Sequence, residues 1–349
     1  MPKVTIIGTT SWGKTLAVIL AQNGREVRLW ARTEKEAAKF RDTGPGSTPL
    51  DIPLPSKLTV THSLSEAMDG TKAVILAVPS QTMRHNIRLV KSYLNDSIII
   101  ISAAKGLEIG TNKRMSQVIA DEIDPRYHQN ICVLSGPNLS PEILNDLPAA
   151  TVVAAENEKV AKVVQKLVAT PRFCVYTNTD VIGVELGGAL KNIIALGAGM
   201  ADGLGYGDNA KAAFITRALT EITALGVALG ANPLTFSGLA GLGDVIATCS
   251  SPLSRNHYVG EELTKGRSLS EITSSMTGIA EGISTTATAL EIAREIGLEM
   301  PITERIYKVL YEGVDPRKAA EELMSAESRH ELAGRKWKLA SIFRRRKRT

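Results

Sequence analysis

The chain has 349 residues, 44% apolar and 22% charged, more than one hydrophobic core usually holds, so two domains of an ordinary globular protein are expected. Its formal charge of +5 resides in Arg344-Arg-Arg-Lys-Arg348, and the remainder is formally neutral. No nucleic-acid partner is expected, and this short basic end reads as a solvated terminus, with peripheral membrane contact as the alternative. Three dispersed cysteines (Cys132, Cys174, Cys249) and five scattered histidines point away from a disulfide framework or a zinc site. Nothing resembling a signal peptide precedes the first strand, so reduced thiols in a cytoplasmic protein are expected.

Val4–Ile7 reads as a buried strand, Gly13–Gln22 as a helix and Glu26–Trp30 as a second strand. Between the first two lies Gly8-Thr-Thr-Ser-Trp-Gly13, placed where a dinucleotide's pyrophosphate meets a helix N-terminus. Thr10 stands where that fingerprint has glycine; it either narrows the approach to the pyrophosphate or donates its hydroxyl to it. Following the second strand, Ala31-Arg32-Thr33 has no acidic residue to hold a ribose 2′-hydroxyl. Arg32 instead suits a 2′-phosphate, favouring NADP or tolerance of both cofactors, with Glu34 near enough to complicate the choice. A turn-rich excursion, Gly44–Pro55, comes next. Further strands are expected at Ala73–Val78, Ser97–Ser102, Asn130–Leu134, Ala149–Ala154 and Arg172–Tyr176. Alternation with helical segments predicts a doubly wound, Rossmann-like parallel sheet over residues 1–180, with functional loops at the strands' carboxyl ends. Trp30 is expected to pack in the core.

Val181–Met200 carries only two charges, Glu185 and Lys191, and five glycines. Those charges argue against a membrane span, and their six-residue spacing argues against an ordinary surface pair. Burial makes the proton affinity of Lys191 adjustable. After residue 180 the strand signals stop. Ala210–Leu229, Leu269–Met276, Ser284–Ile296, Ile302–Tyr311 and Lys318–Met324 read as helices, predicting an all-helical domain over 181–343 and a basic tail over 344–349. Within it, Gly238-Leu-Ala-Gly-Leu-Gly-Asp244 leaves a carboxylate at a turn, either orienting Lys191, binding a substrate hydroxyl, or capping the helix that starts at Val245. Thr248 lies one turn further on the same face. Ser254-Arg255-Asn256 supplies the donors a phosphate needs, or else a polar loop. His257 is expected to be structural, and Trp337 carries no functional argument. A ketone receiving hydride needs a proton donor at its oxygen, a role that suits Lys191.

Ser11-Trp12-Gly13, Ala77-Val-Pro-Ser80, Lys105-Gly-Leu-Glu108, Ser135-Gly-Pro137, Glu185–Asn192 and Gly238–Asp244 with Ser254-Arg255-Asn256 occur in this order over nearly the whole chain. Together they resemble the bacterial type of NAD(P)-dependent glycerol-3-phosphate dehydrogenase. The resemblance implies reduction of dihydroxyacetone phosphate to sn-glycerol 3-phosphate for phospholipid synthesis, by a homodimer. It further implies that Gly8, Ser11, Trp12, Gly13, Arg32 and Ser140 hold NADP or NAD, with Ile279 and Glu281 closing that side and no metal required. Lys105 would be shared with the substrate; Gly136, Asn192, Asp244, Ser254, Arg255 and Asn256 would surround it, Arg255 also approaching the cofactor, and Thr248 is expected from its helical position to add a hydroxyl for the substrate. Lys191 would transfer the proton, with Asp244 and Asn192 beside it. Two departures are Thr10 and Ala104, the latter where the family commonly has Thr. The competing expectations are a different anionic ketone or 3-hydroxyacid substrate, and a catalytically silent sensor of cofactor ratio supported by Thr10 alone.

Overall fold

A computed structural model describes residues 3–41 and 54–325. Most of the 44–55 excursion, Trp337 and the basic tail lie outside these residues. The first half is an eight-stranded sheet: β1 (Lys3–Ile7), β2 (Glu26–Trp30), β3 (Leu58–Thr61), β4 (Thr71–Leu76), β5 (Ile99–Ser102), β6 (Ile131–Ser135), β7 (Ala149–Ala154) and β8 (Phe173–Asn178). Its spatial order is β3-β2-β1-β4-β5-β6-β7-β8. The helices around it are α1 (Ser11–Gln22), α2 (Glu34–Arg41), α3 (Leu64–Met68), α4 (Met83–Val90), α5 (Met115–Glu122), α6 (Ser140–Leu144) and α7 (Glu158–Val168).

Helices on both faces bury the strands on both sides, so β1 and β4 read as nearly continuous apolar runs. Trp30 is a packing residue, 7% exposed, its indole N–H donating to the His62 carbonyl. Two features differ from the sequence expectation. β3 is a four-residue strand, half of it threonine and next to the proline-rich excursion, so it does not stand out as an apolar run. The β6–β7 pair is antiparallel, because the short return through α6 brings the chain directly back from the carboxyl edge. The order reverses between β1 and β4, which opens the crevice where doubly wound sheets bind ligands.

The second half is helical: α8 (Val181–Gly203), α9 (Gly207–Ala228), α10 (Pro233–Phe236), α11 (Asp244–Ser250), α12 (Arg255–Thr264), α13 (Leu269–Ser275), α14 (Glu281–Glu295), α15 (Pro301–Tyr311) and α16 (Pro316–Met324). α8 is its axis, N-capped by the Asp180 carboxylate, which accepts from the Gly183 amide at 2.9 Å. Among the described residues it is the one helix long and apolar enough to cross a membrane, yet 83% of its apolar window is buried inside the protein. Its leucines and isoleucines form the second core, each contributing about 1.5–3 kcal/mol by burial. Its glycines allow close approach: a Cβ on Gly187 would stand 2.6 Å from the Ala240 carbonyl oxygen, and one on Gly260 of α12 would collide with the Leu196 carbonyl.

The two charges of α8 diverge. Glu185 turns to the sheet half, its carboxylate accepting from the Ser116 amide at 2.7 Å and hydroxyl at 2.5 Å and pairing with Arg114. It ties α8 to the first turn of α5. Lys191 turns inward.

Candidate active site

Lys191 sits at mid-helix, 7% exposed. Its ammonium donates to Asp244 Oδ1 at 2.8 Å and to Thr248 Oγ1 at 2.5 Å. The Thr248 hydroxyl donates in turn to Asp244 Oδ1 at 3.2 Å. Asp244 and Thr248 share one face of α11, being four residues apart. Asp244 is the first residue of that helix and its carboxylate is taken up by lysines; the helix-capping alternative is therefore corrected. One turn of π-helix, Leu239–Gly243, delivers it there, a local widening often found at functional sites.

Lys105 completes the cluster from the sheet side, entering from the loop after β5. Its ammonium donates to Asp244 Oδ2 at 2.5 Å and to the Gly136 carbonyl oxygen at 2.7 Å. One buried carboxylate thus bridges two ammonium groups from two halves of the chain. Burial pushes the Lys105 pKa down to about 8, Asp244 opposing the shift and Lys191 adding to it. For Asp244, burial acts to raise the pKa, but the Lys105 and Lys191 charges hold it below the usual carboxylate range. Two cations against one anion leave surplus positive charge, suited to an anionic substrate. Each ammonium has three N–H donors and uses two on the protein, which leaves one apiece for a ligand.

Around this centre, Asn192 Oδ1 accepts from Asn256 Nδ2 at 2.9 Å, and Asn256 Oδ1 accepts from the Gly282 amide at 2.9 Å. Asn256 is therefore committed to holding α8, α12 and α14 together, while the Asn192 amide nitrogen donates to no described protein group. Ser254 is the N-cap of α12, accepting from the His257 amide at 3.2 Å. Arg255 opens that helix and stays exposed. His257 pairs with Asp202 at 2.6 Å, a structural role.

On the cofactor side, Gly8 has φ +111°, and a Cβ there would stand 2.6 Å from the Ala77 carbonyl oxygen. Only glycine fits. Gly13, also too close to Gly8 for a side chain, follows Ser11 and Trp12 in the first turn of α1, which carries no acidic residue. An open helix N-terminus above a glycine turn fits a pyrophosphate. The Thr10 hydroxyl donates to the Ala77 carbonyl at 2.8 Å and accepts from the Gly13 amide at 3.1 Å. These two bonds close the loop without the fingerprint's middle glycine. Trp12 packs edge-on to Phe173, with centroids 6.2 Å apart. Arg32 is exposed, with no ion-pair partner among the described residues. Ser140 begins α6 and is half-buried. Glu281 reaches across to the end of β4, accepting from the Ser80 amide at 2.9 Å and from its hydroxyl, and Ile279 is 51% exposed beside it. A cavity of about 300 Å³ lies between Pro79 and Gln81 on one side and Met276, Gly278 and Ile279 on the other. A larger one, about 370 Å³, at Gly24, Lys57 and Thr59 is at the opposite edge of the sheet, away from these groups.

The family model for the NAD-dependent glycerol-3-phosphate dehydrogenase N-terminus matches residues 3–161, and that for the C-terminus matches 180–321. The chain belongs to the glycerol-3-phosphate dehydrogenase family. A Dehalococcoides mccartyi relative, named as a glycerol-3-phosphate dehydrogenase acting with NAD(P)+, is 65% identical over 99% of this chain and 97% of its own. One from Shouchella clausii with the same name is 44% identical over 95% of this chain and 98% of its own. The crystal structure of the Coxiella burnetii glycerol-3-phosphate dehydrogenase superposes with a TM-score of 0.86 at 34% identity, covering 93% of this chain and 99% of that one. The chain is accordingly an NAD(P)-dependent oxidoreductase with a Rossmann-like sheet and a helical C-terminal domain.

Sequence reasoning missed two elements of this dehydrogenase site. The sharing of Asp244 by Lys105 was invisible because 139 residues separate them. Glu36, which accepts from the Thr9 hydroxyl and from the Arg32 amide, lies beyond the expected acidic position; Glu34, the residue weighed, is paired with Arg41 and His62.

Proposed function

We propose that this chain reduces dihydroxyacetone phosphate to sn-glycerol 3-phosphate with Lys191 as the proton-transferring group, and that residues 1–180 hold the cofactor while 181–343 supply the chemistry. The observation that carries the reading is the buried Lys191–Asp244–Thr248 cluster joined to Lys105. When bound, the dihydronicotinamide supplies a hydride to the ketone carbon. Negative charge then grows on the ketone oxygen, and the remaining Lys191 N–H is the donor that stabilises and protonates it. Asp244 fixes the ammonium, and Thr248 limits its rotation by accepting a second N–H. In the reverse direction, neutral Lys191 accepts the alcohol proton.

Lys105, the Asn192 amide and Arg255 supply donors for the substrate's hydroxyl and phosphate, an anion that favours a guanidinium with additional N–H groups. Gly136 and Ser254 shape the site through backbone and cap, and Asn256 keeps Asn192 oriented. Gly8, Ser11, Trp12 and Gly13 receive the pyrophosphate, with Arg32 and Ser140 further along the cofactor. Glu281, already bonded to Ser80, and Ile279 border the cofactor side and help exclude water. Assembly as a homodimer in the cytoplasm completes the reading.

The test follows dihydronicotinamide absorbance with dihydroxyacetone phosphate and, in parallel, with unphosphorylated dihydroxyacetone. Oxidation with the phosphate ester alone supports the reading. Equal rates with both ketones, or none with either in folded protein, would reject the substrate assignment.

A further inference from the structure

Glu36 differs from Glu34, the other acidic residue in the first turn of α2. Glu34 is neutralised by Arg41 and also contacts the His62 ring, whereas Glu36 forms no ion pair among the described residues. Its two oxygens are held by neutral donors from two loops: Oε1 accepts from the Thr9 hydroxyl in the glycine turn after β1, and Oε2 accepts from the Arg32 amide after β2, at 3.2 Å. The Glu36 amide is itself fixed by Thr33 Oγ1 at 3.2 Å. A half-buried carboxylate without a direct ion pair among the described residues, its charge felt by the Lys14 ammonium, is therefore pinned over the carboxyl ends of β1 and β2. In a doubly wound dinucleotide domain the adenosine ribose lies at this edge.

We infer that Glu36 is a specificity-determining residue for the cofactor, its carboxylate accepting from the adenosine ribose 2′-hydroxyl of NADH and opposing the 2′-phosphate of NADPH. This deepens the proposed function and rests on it. A phosphomonoester carries about −1.5 to −2 charges at neutral pH, so a fixed carboxylate in the same place repels it, while a hydroxyl gains a charge-assisted bond. Arg32, exposed just ahead of α2 with no ion-pair partner among the described residues, is the counterweight. The pair makes the chain tolerant of both cofactors, and Arg32 alone does not set the preference.

The test is calorimetric binding of adenosine 5′-monophosphate and adenosine 2′,5′-bisphosphate to the full chain, with NADH and NADPH as reference ligands. Glu36→Gln is expected to move the affinity ratio about tenfold toward the 2′-phosphorylated fragment, and Arg32→Ala to move it in the opposite direction. Thr9→Val removes a hydrogen bond to Glu36 but leaves the carboxylate, so it should shift the ratio less than twofold. Equal shifts in Glu36→Gln and Thr9→Val would reduce Glu36 to a loop tie and overturn the inference, as would an unchanged ratio in Glu36→Gln. If the unaltered chain bound neither NADH nor NADPH, the proposed function itself would fall, and this inference with it.

Discussion

The centre of the site and its cofactor rim are built on opposite plans. Lys191, Asp244 and Thr248 are each at most 7% exposed and bonded to one another, whereas Arg32 and Ile279 are open, and Glu36 and Glu281 are only half-buried. In a buried network every partner is required, because removing one leaves an uncompensated charge at a cost of about 3–5 kcal/mol. At a rim, water replaces what is lost. The centre should therefore respond to substitution steeply and in rate, the rim gradually and in affinity.

Asp244→Asn should give the largest departure, since it leaves two ammonium groups facing each other without their shared carboxylate. We expect kcat/KM to fall at least about 100-fold, with a lowered denaturation midpoint. A loss of a few fold would place the centre with the rim. A smaller effect concerns Lys105, whose pKa is pushed down to about 8 by burial. As pH rises through that value its charge is lost, and KM for dihydroxyacetone phosphate should climb several-fold. Stability should move the other way: the unfolded chain, with Lys105 near 10.5, binds more protons between the two values, so this lysine's contribution to stability rises with pH there. Denaturant titration at pH 8 and pH 10 checks the sign. Smallest is Glu281→Gln, which keeps an acceptor for the Ser80 amide. The cofactor KM should rise less than about fivefold and exceed any change in kcat; a kcat collapse would mean that this rim residue works as part of the centre.

The same contrast explains what could be read from the chain itself. Apolar runs made β1, β2 and β4 to β8 legible, although the edge strand β8 is buried on one face only, while β3, Leu58-Thr-Val-Thr61, is half threonine and was not. The Lys191 reading rested on a local signal, a charge in an apolar, glycine-rich helix. Glu185 carries the same local signal and proved to be a tie to Arg114 and Ser116, because which way each charge faces depends on packing against α5 and α11. Thr10 looked like a defect in a fingerprint; its hydroxyl spans the loop to Ala77, a contact made by a strand 67 residues away. Glu36 was missed for a similar reason, since its meaning comes from Thr9 on a neighbouring loop.

The most direct test of the account is single-turnover oxidation of bound NADH or NADPH by dihydroxyacetone phosphate in Lys191→Ala, with cofactor affinity measured on the same protein by fluorescence titration. The account predicts a rate constant lower by about 10²–10⁴, with cofactor affinity within about twofold of the unaltered chain's. A Lys191→Ala protein that turns over within a few fold of the original rate would contradict the assignment of the proton-transferring group.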